Sequence, residues 1–114
     1  MGARAYVPDA GDVVWLAFGP QAGREQAGRR PALVMSPAIY NRKSDLMLCC
    51  PLSTRVKGYP FEVAVSIEGQ DGVVLSDQVK SLDWRVRRAR RMGCVPPSVM
   101  LEVRARIKAL LAIP

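Results

Sequence analysis

The chain has 114 residues, 49% of them hydrophobic and 24% charged, a balance that suits one globular domain over residues 1–114 and excludes a disordered basic tail. Seventeen Lys and Arg against ten Asp and Glu give a net charge of +7, so a polyanion or an acidic protein is the expected partner. No apolar run reaches the roughly 18 residues of a membrane span and no leader-like segment opens the chain, so a cytoplasmic protein is expected.

Asp12 to Phe18 (DVVWLAF), opened by Gly11 and closed by Gly19-Pro20, is the first expected strand, with Trp15 read as core. Gln21 to Arg29 carries two glycines and several charges but no apolar periodicity, which predicts an exposed, mobile loop. Pro31 to Ser36, Asp45 to Pro51, Phe61 to Ser66 and Gly72 to Leu75 repeat the strand pattern between turn residues. In the third of these, Phe61, Val63 and Val65 alternate with Glu62, Ala64 and Ser66, so one face should be wet. Val79 to Arg91 reads as an extended strand or hairpin ending in an arginine patch, with Trp84 suited to either packing or an interface. After Pro96-Pro97-Ser98 the period changes: Met100, Val103, Ile107, Leu110 and Leu111 fall on one helical face and Glu102, Arg104, Arg106 and Lys108 on the other. Glu102 stands four residues before Arg106, the spacing of a weak ion pair. The whole is a mainly β fold, a small barrel or sandwich, with an amphipathic C-terminal helix packed on it.

Cys49, Cys50 and Cys94 are an odd number without a CxxC pair, and adjacent Cys49 and Cys50 would face opposite sides of a strand, so all three read as small buried hydrophobes. Histidine is absent and no carboxylate cluster has ligand spacing, so neither a metal nor a cofactor is expected.

Chemistry could reside in the loop Gly23 to Pro31 and in the hydroxyl pair Ser53-Thr54. Cleavage of RNA by its own 2′-hydroxyl needs a base, a donor for the leaving oxygen and positive charge at the phosphorane-like transition state. Arg30 is shaped to grip two phosphate oxygens, Ser53 can donate a hydrogen bond to the same phosphate, and Glu25 is the carboxylate of the loop and the candidate base. Taken by themselves, Arg30 fits an ordinary strand-edge charge equally well, and Ser53-Thr54 a simple turn. Arg85, Arg87, Arg88, Arg90 and Arg91 fit a solvated face as well as a surface for nucleic acid or an acidic partner.

From Tyr6 to about Leu110 the order of motifs resembles the MazF/PemK family of toxins of toxin-antitoxin systems, above all its enterobacterial branch. The carriers are Tyr6-Val7-Pro8-Asp9, Gly11-Asp12 with Trp15, Glu25-Gln26-Ala27-Gly28 with Arg30-Pro31-Ala32, Ser36-Pro37 with Tyr40-Asn41, Lys57 to Val63, Asp71-Gly72-Val73, and Asp77 to Ser81 with Trp84-Arg85. The resemblance implies the small SH3-like β-barrel of MazF- and CcdB-like toxins, assembled as a homodimer with a groove at the subunit interface. It implies a sequence-specific, metal-independent endoribonuclease that cuts single-stranded mRNA at A-C-A-containing sites, leaves 2′,3′-cyclic phosphate and 5′-hydroxyl ends, and so inhibits translation. It places the catalytic arginine and hydroxyl on Arg30 and Ser53, the loop glutamate on Glu25 and the lysine after the hydroxyl on Lys57. RNA would be held by Lys57 together with Gln26, Arg29, Thr54, Arg55, Asp77, Gln78, Lys80, Arg85 and Arg87.

The implied partner is a MazE-like antitoxin whose acidic, disordered C-terminal segment competes with RNA, in a heterohexamer. Three departures stand out: Ser53 where the hydroxyl is usually threonine, Ala17 and Gly19 where enterobacterial members carry acids, and Leu75 where plasmid-borne members carry arginine. Two rivals are a gyrase-poisoning toxin of the same fold, which relies on a tryptophan near the chain end that is missing after Trp84, and a non-catalytic basic binding module.

Overall fold

The computed structural model describes residues 5–17 and 29–114. Phe18, Gly19, Glu25, Gln26 and most of the predicted mobile loop therefore lie outside the described residues. In chain order the elements are β1 (Asp12–Ala17), β2 (Arg29–Val34), α1 (Ala38–Ser44), β3 (Leu46–Ser53), β4 (Glu62–Ile67), β5 (Gln70–Leu75), β6 (Lys80–Asp83), β7 (Arg90–Cys94) and α2 (Pro97–Leu110). The strands form one antiparallel sheet in the order β4-β5-β3-β2-β1-β7, with β6 also paired to β3. The sheet curls until its two ends approach: Gly93 on β7 lies so near β4 that a Cβ there would stand 3.9 Å from Ile67. The expected mainly β barrel with a C-terminal helix is thus what the chain forms, as a curled half-barrel.

The apolar run of β1 exists because both faces of the central sheet are covered. Val13 pairs with Leu33 and Val14 with Ala32, so successive residues enter different cores. Val13, Leu33 and Cys50 join Val63, Val65, Ile67 and Val74 beneath α2, which contributes Met100 and Val103. Val14, Leu16, Ala32, Val34, Met47 and Cys49 pack on the other face with Trp84. Gly11 ties the β-ends together: its N–H donates to Val34, its carbonyl accepts from Val95, and its φ of +96° is one glycine adopts without strain.

Four expectations are corrected. Residues 79–91 are no hairpin: β6 pairs with β3 and β7 with β1, and the turn between them carries Trp84 into the core. Ala38–Ser44 forms a short helix that apolar patterning missed, because its anchor is polar. Buried Asn41 donates to the carbonyls of Pro8 (2.8 Å) and Ser36 (2.9 Å) and accepts from the Ser36 hydroxyl (2.6 Å), while its own carbonyl accepts from the Trp84 indole (2.8 Å). Cys49 and Cys50 are buried on opposite faces as expected, but Cys94 is exposed at the end of β7. On α2, Met100 and Val103 are buried and Glu102 pairs with Arg106 at 3.0 Å, yet Leu110 and Leu111 stay exposed because the last turn of the helix is not covered by the sheet.

Candidate active site

The strands β2 and β3 pair Val34 with Cys49, Leu33 with Cys50 and Ala32 with Pro51. The ladder ends at Ala32–Pro51, and Arg30 and Ser53 lie two residues beyond it on their strands, positions that by strand alternation share the face of Ala32 and Pro51. Both line the lip of a groove of about 840 Å³, together with Arg29, Thr54 and Arg55. The same groove is lined by Trp15, Leu52, Val65, Ile67 and Met92, which belong to the other face of the sheet, and by Glu68 and Asp71, so Arg30 and Ser53 border it at its edge, where their strands end. Trp15, expected in the core, is only half-buried here, and Trp84 is the tryptophan that is 4% exposed. Trp15 pairs with Pro31 and lines the groove, whereas Trp84 takes the packing role of the two that the sequence left open.

Ser53 ends β3, where the chain turns outward. Its Oγ accepts the Arg55 backbone N–H at 3.0 Å, which occupies a lone pair and leaves the hydroxyl proton to be donated elsewhere. Beyond it the Glu62 carboxylate accepts from the backbone N–H groups of Lys57 (3.2 Å) and Gly58 (2.9 Å), folding the basic loop back while the Lys57 side chain remains exposed. Stacking of Tyr59 on Phe61, with ring centroids 5.3 Å apart, closes the same turn.

Two further cations lie on the face that carries Arg30 and Ser53. Lys80 pairs with Cys49, two pleats from Ser53, and so shares its face. Arg87 donates to the Ala17 carbonyl at 3.3 Å, and Ala17 pairs with Arg29 at the start of β2. Both cations lower the Cys49 thiol somewhat, but burial wins and pushes it up to about 11; burial, Cys49 and Asp77 push Cys50 to about 12. Neither thiol is a nucleophile at neutral pH.

Arg85 is held elsewhere. It pairs with Asp45 at 2.6 Å and covers the Trp84 ring at 4.4 Å, beyond the far end of β3, roughly 23 Å along the strand from Ser53. Asp77 and Gln78 are exposed in the connection between β5 and β6, where Asp77 borders a second groove. That groove, about 680 Å³, is apolar: Met35, Leu48, Val79, Ile107, Leu110, Leu111 and Ile113 line it, with Lys108 and Arg104 beside them. Of the arginine patch, Arg85 and Arg91 have carboxylate partners, Asp45 and Asp12. Among the described residues no group of three or more Cys, Asp or Glu is placed to hold a metal ion, and no helix is long and apolar enough to cross a membrane.

Residues 9–111 match the family model of PemK-like, MazF-like toxins of type II toxin-antitoxin systems. The chain belongs to that family. It is 51% identical over 106 residues to the endoribonuclease toxin MazF of Escherichia coli K12, covering 93% of this chain and 96% of the relative. To the endoribonuclease toxin ChpB of the same strain it is 35% identical over 111 residues, 90% of this chain and 93% of that one. A MazE–MazF complex from Deinococcus radiodurans superposes with a TM-score of 0.87 at 54% identity, over 96% of this chain and all of the other. MazF crystallised alone from the same organism gives 0.84 at 55%, with the same coverage. As a PemK- and MazF-like toxin, this chain stands among endoribonucleases.

Proposed function

We propose that the chain is a sequence-specific endoribonuclease that cuts single-stranded mRNA at short A-C-A-containing sites, without metal or cofactor, and thereby inhibits translation in the cytoplasm. The observation that carries this reading is that Arg30 and Ser53, on the adjacent strands β2 and β3, border one open groove. Attack by the ribose 2′-oxygen forms its bond to phosphorus and breaks the bond from phosphorus to the 5′-oxygen. A base takes the 2′-proton, the 5′-oxygen leaves protonated, and a 2′,3′-cyclic phosphate and a 5′-hydroxyl result. Arg30 meets the charge that builds on the non-bridging oxygens, and Ser53 donates its free hydroxyl proton to the same phosphate. Glu25 is the candidate base. Arg29, Arg55, Lys57, Lys80 and Arg87 hold the flanking phosphates, and Gln26, Thr54, Asp77 and Gln78 offer polar groups to the bases. Arg85, at the other end of β3, serves the fold instead.

The functional unit is a homodimer. The exposed apolar groove formed by Leu48, Ile107, Leu110, Leu111 and Ile113 is the surface that a second copy would cover, since a contiguous patch of that kind is costly in water. A MazE-like antitoxin with an acidic C-terminal segment is the second partner, supported by the +7 charge and by the MazE–MazF complex of the Deinococcus relative, and a heterohexamer joins the two.

The decisive experiment incubates purified protein with a defined RNA containing one A-C-A site in excess EDTA and maps the new ends. Cleavage with a cyclic phosphate at the 5′ fragment's terminus is expected. RNA binding without cleavage would turn the reading to a non-catalytic module, and activity restored only by a divalent ion would overturn metal independence.

A further inference from the structure

Gly72 sits on β5 against the strand end that carries the proposed catalytic hydroxyl. Ser53 pairs with Val73, so Thr54, the first residue after β3, crosses over Gly72 as the chain turns out of the sheet. The approach is very close. A Cβ built on Gly72 would stand 2.6 Å from the Ser53 carbonyl oxygen and 3.4 Å from its carbon, with Thr54 Cα at 3.7 Å. These neighbours are backbone atoms, which cannot swing aside as a long side chain does. Nor is Gly72 among the glycines with positive φ, so its bare Cα serves space and not backbone freedom.

We infer that Gly72 is a positioning residue for RNA cleavage: its missing side chain lets the Ser53 backbone settle onto β5, which sets where the Ser53 hydroxyl meets the scissile phosphate across from Arg30. This rests on the reading that Ser53 donates to that phosphate. Any side chain at residue 72 must lift the Ser53 carbonyl by several tenths of an ångström. That shift is on the scale at which catalytic groups lose their alignment, and about 1 Å can cost on the order of 100-fold in rate. Gly69, in the turn of the same hairpin, provides the contrast, since its φ is +79° and nothing lies within 4 Å of its Cβ site. Alanine there strains the turn without touching Ser53.

The test compares Gly72→Ala, Ser53→Ala, the double variant and Gly69→Ala on a defined RNA, with folding checked by circular dichroism. Gly72→Ala should lower kcat by about 10- to 100-fold with KM changed by less than about 3-fold. In the Ser53→Ala background the same substitution should add less than about 3-fold, because the group it displaces is gone. Gly69→Ala should keep the parent kcat. Undiminished kcat in Gly72→Ala, or a loss that multiplies in full on Ser53→Ala, overturns the role of Gly72 and leaves that of the hydroxyl standing. Full activity of Ser53→Ala removes the hydroxyl from the mechanism and Gly72's role with it. A crystal structure of the parent chain needs no variant: more than 3.4 Å between a Cβ built on Gly72 and the Ser53 carbonyl oxygen overturns the inference, and a shorter separation upholds its steric basis.

Discussion

Arg30 and Ser53 were expected to serve one phosphate from their residue types and from the family resemblance, although 22 positions separate them; adjacency of β2 and β3 puts both on the border of one groove. Arg30 is exposed, so Arg30→Ala should leave the unfolding free energy within about 0.5 kcal/mol of the parent. Its kcat should drop by about 10²- to 10³-fold, as befits a donor aimed at developing charge. A fully active variant in a single-turnover assay would place the transition-state cation elsewhere. Ser53→Thr keeps the oxygen and adds only a methyl at an already half-buried strand end, so its rate should stay within about threefold of the parent. An inactive threonine variant would mean that residue 53 does not present its hydroxyl to RNA.

At the scale of elements, polar anchors matter as much as apolar faces. Asn41→Ala would strip partners from the carbonyls of Pro8 and Ser36 and from the Ser36 hydroxyl, all in the interior, and should cost about 3 kcal/mol by chemical denaturation. A loss under 1 kcal/mol would show that α1 is held mainly by its apolar contacts. The back-to-back thiols of β3 give a pH signature. Both titrate above their ordinary value of 9.0 when folded, Cys49 at about 11 and Cys50 at about 12, chiefly through burial. Their contribution is therefore complete below about pH 9 and falls as pH rises through the folded values, because the unfolded thiols ionise first. Between pH 9 and 11 the parent should lose roughly 1.4 kcal/mol per unit per thiol more than the Cys49→Ala/Cys50→Ala variant. Parallel pH profiles for the two proteins would refute the buried-thiol account. That Cys49 and Cys50 face opposite cores followed from the period of a strand; that Cys94 lies outside both did not, because it depends on where β7 runs out.

For the whole molecule, the apolar end of α2 and the basic lip are the surfaces left to explain. Leu111→Lys places a charge in the groove beside Leu110 and Ile113, where the side chain is exposed in one copy, and should convert a dimer into monomer by analytical ultracentrifugation without lowering helix content. A dimer of unchanged dissociation constant would assign the self-association surface to another face. The predicted helix itself was sound, but its last two leucines were read as core because helical periodicity reports which residues share a face, and not what that face meets.

The sequence by itself determined the family, the basic character, the succession of short strands and final helix, and the side-chain chemistry available, because local periodicity, charge and motif order are properties of the chain alone. Tertiary structure decided the rest. It brought Arg30 and Ser53 to the border of one groove, sent Trp84 inward and left Trp15 at the groove, tied Arg85 to Asp45, and seated Ser53 on the bare Cα of Gly72. Each of these depends on which strands pair and in what register, and a shift of one residue would turn every such side chain to the other face.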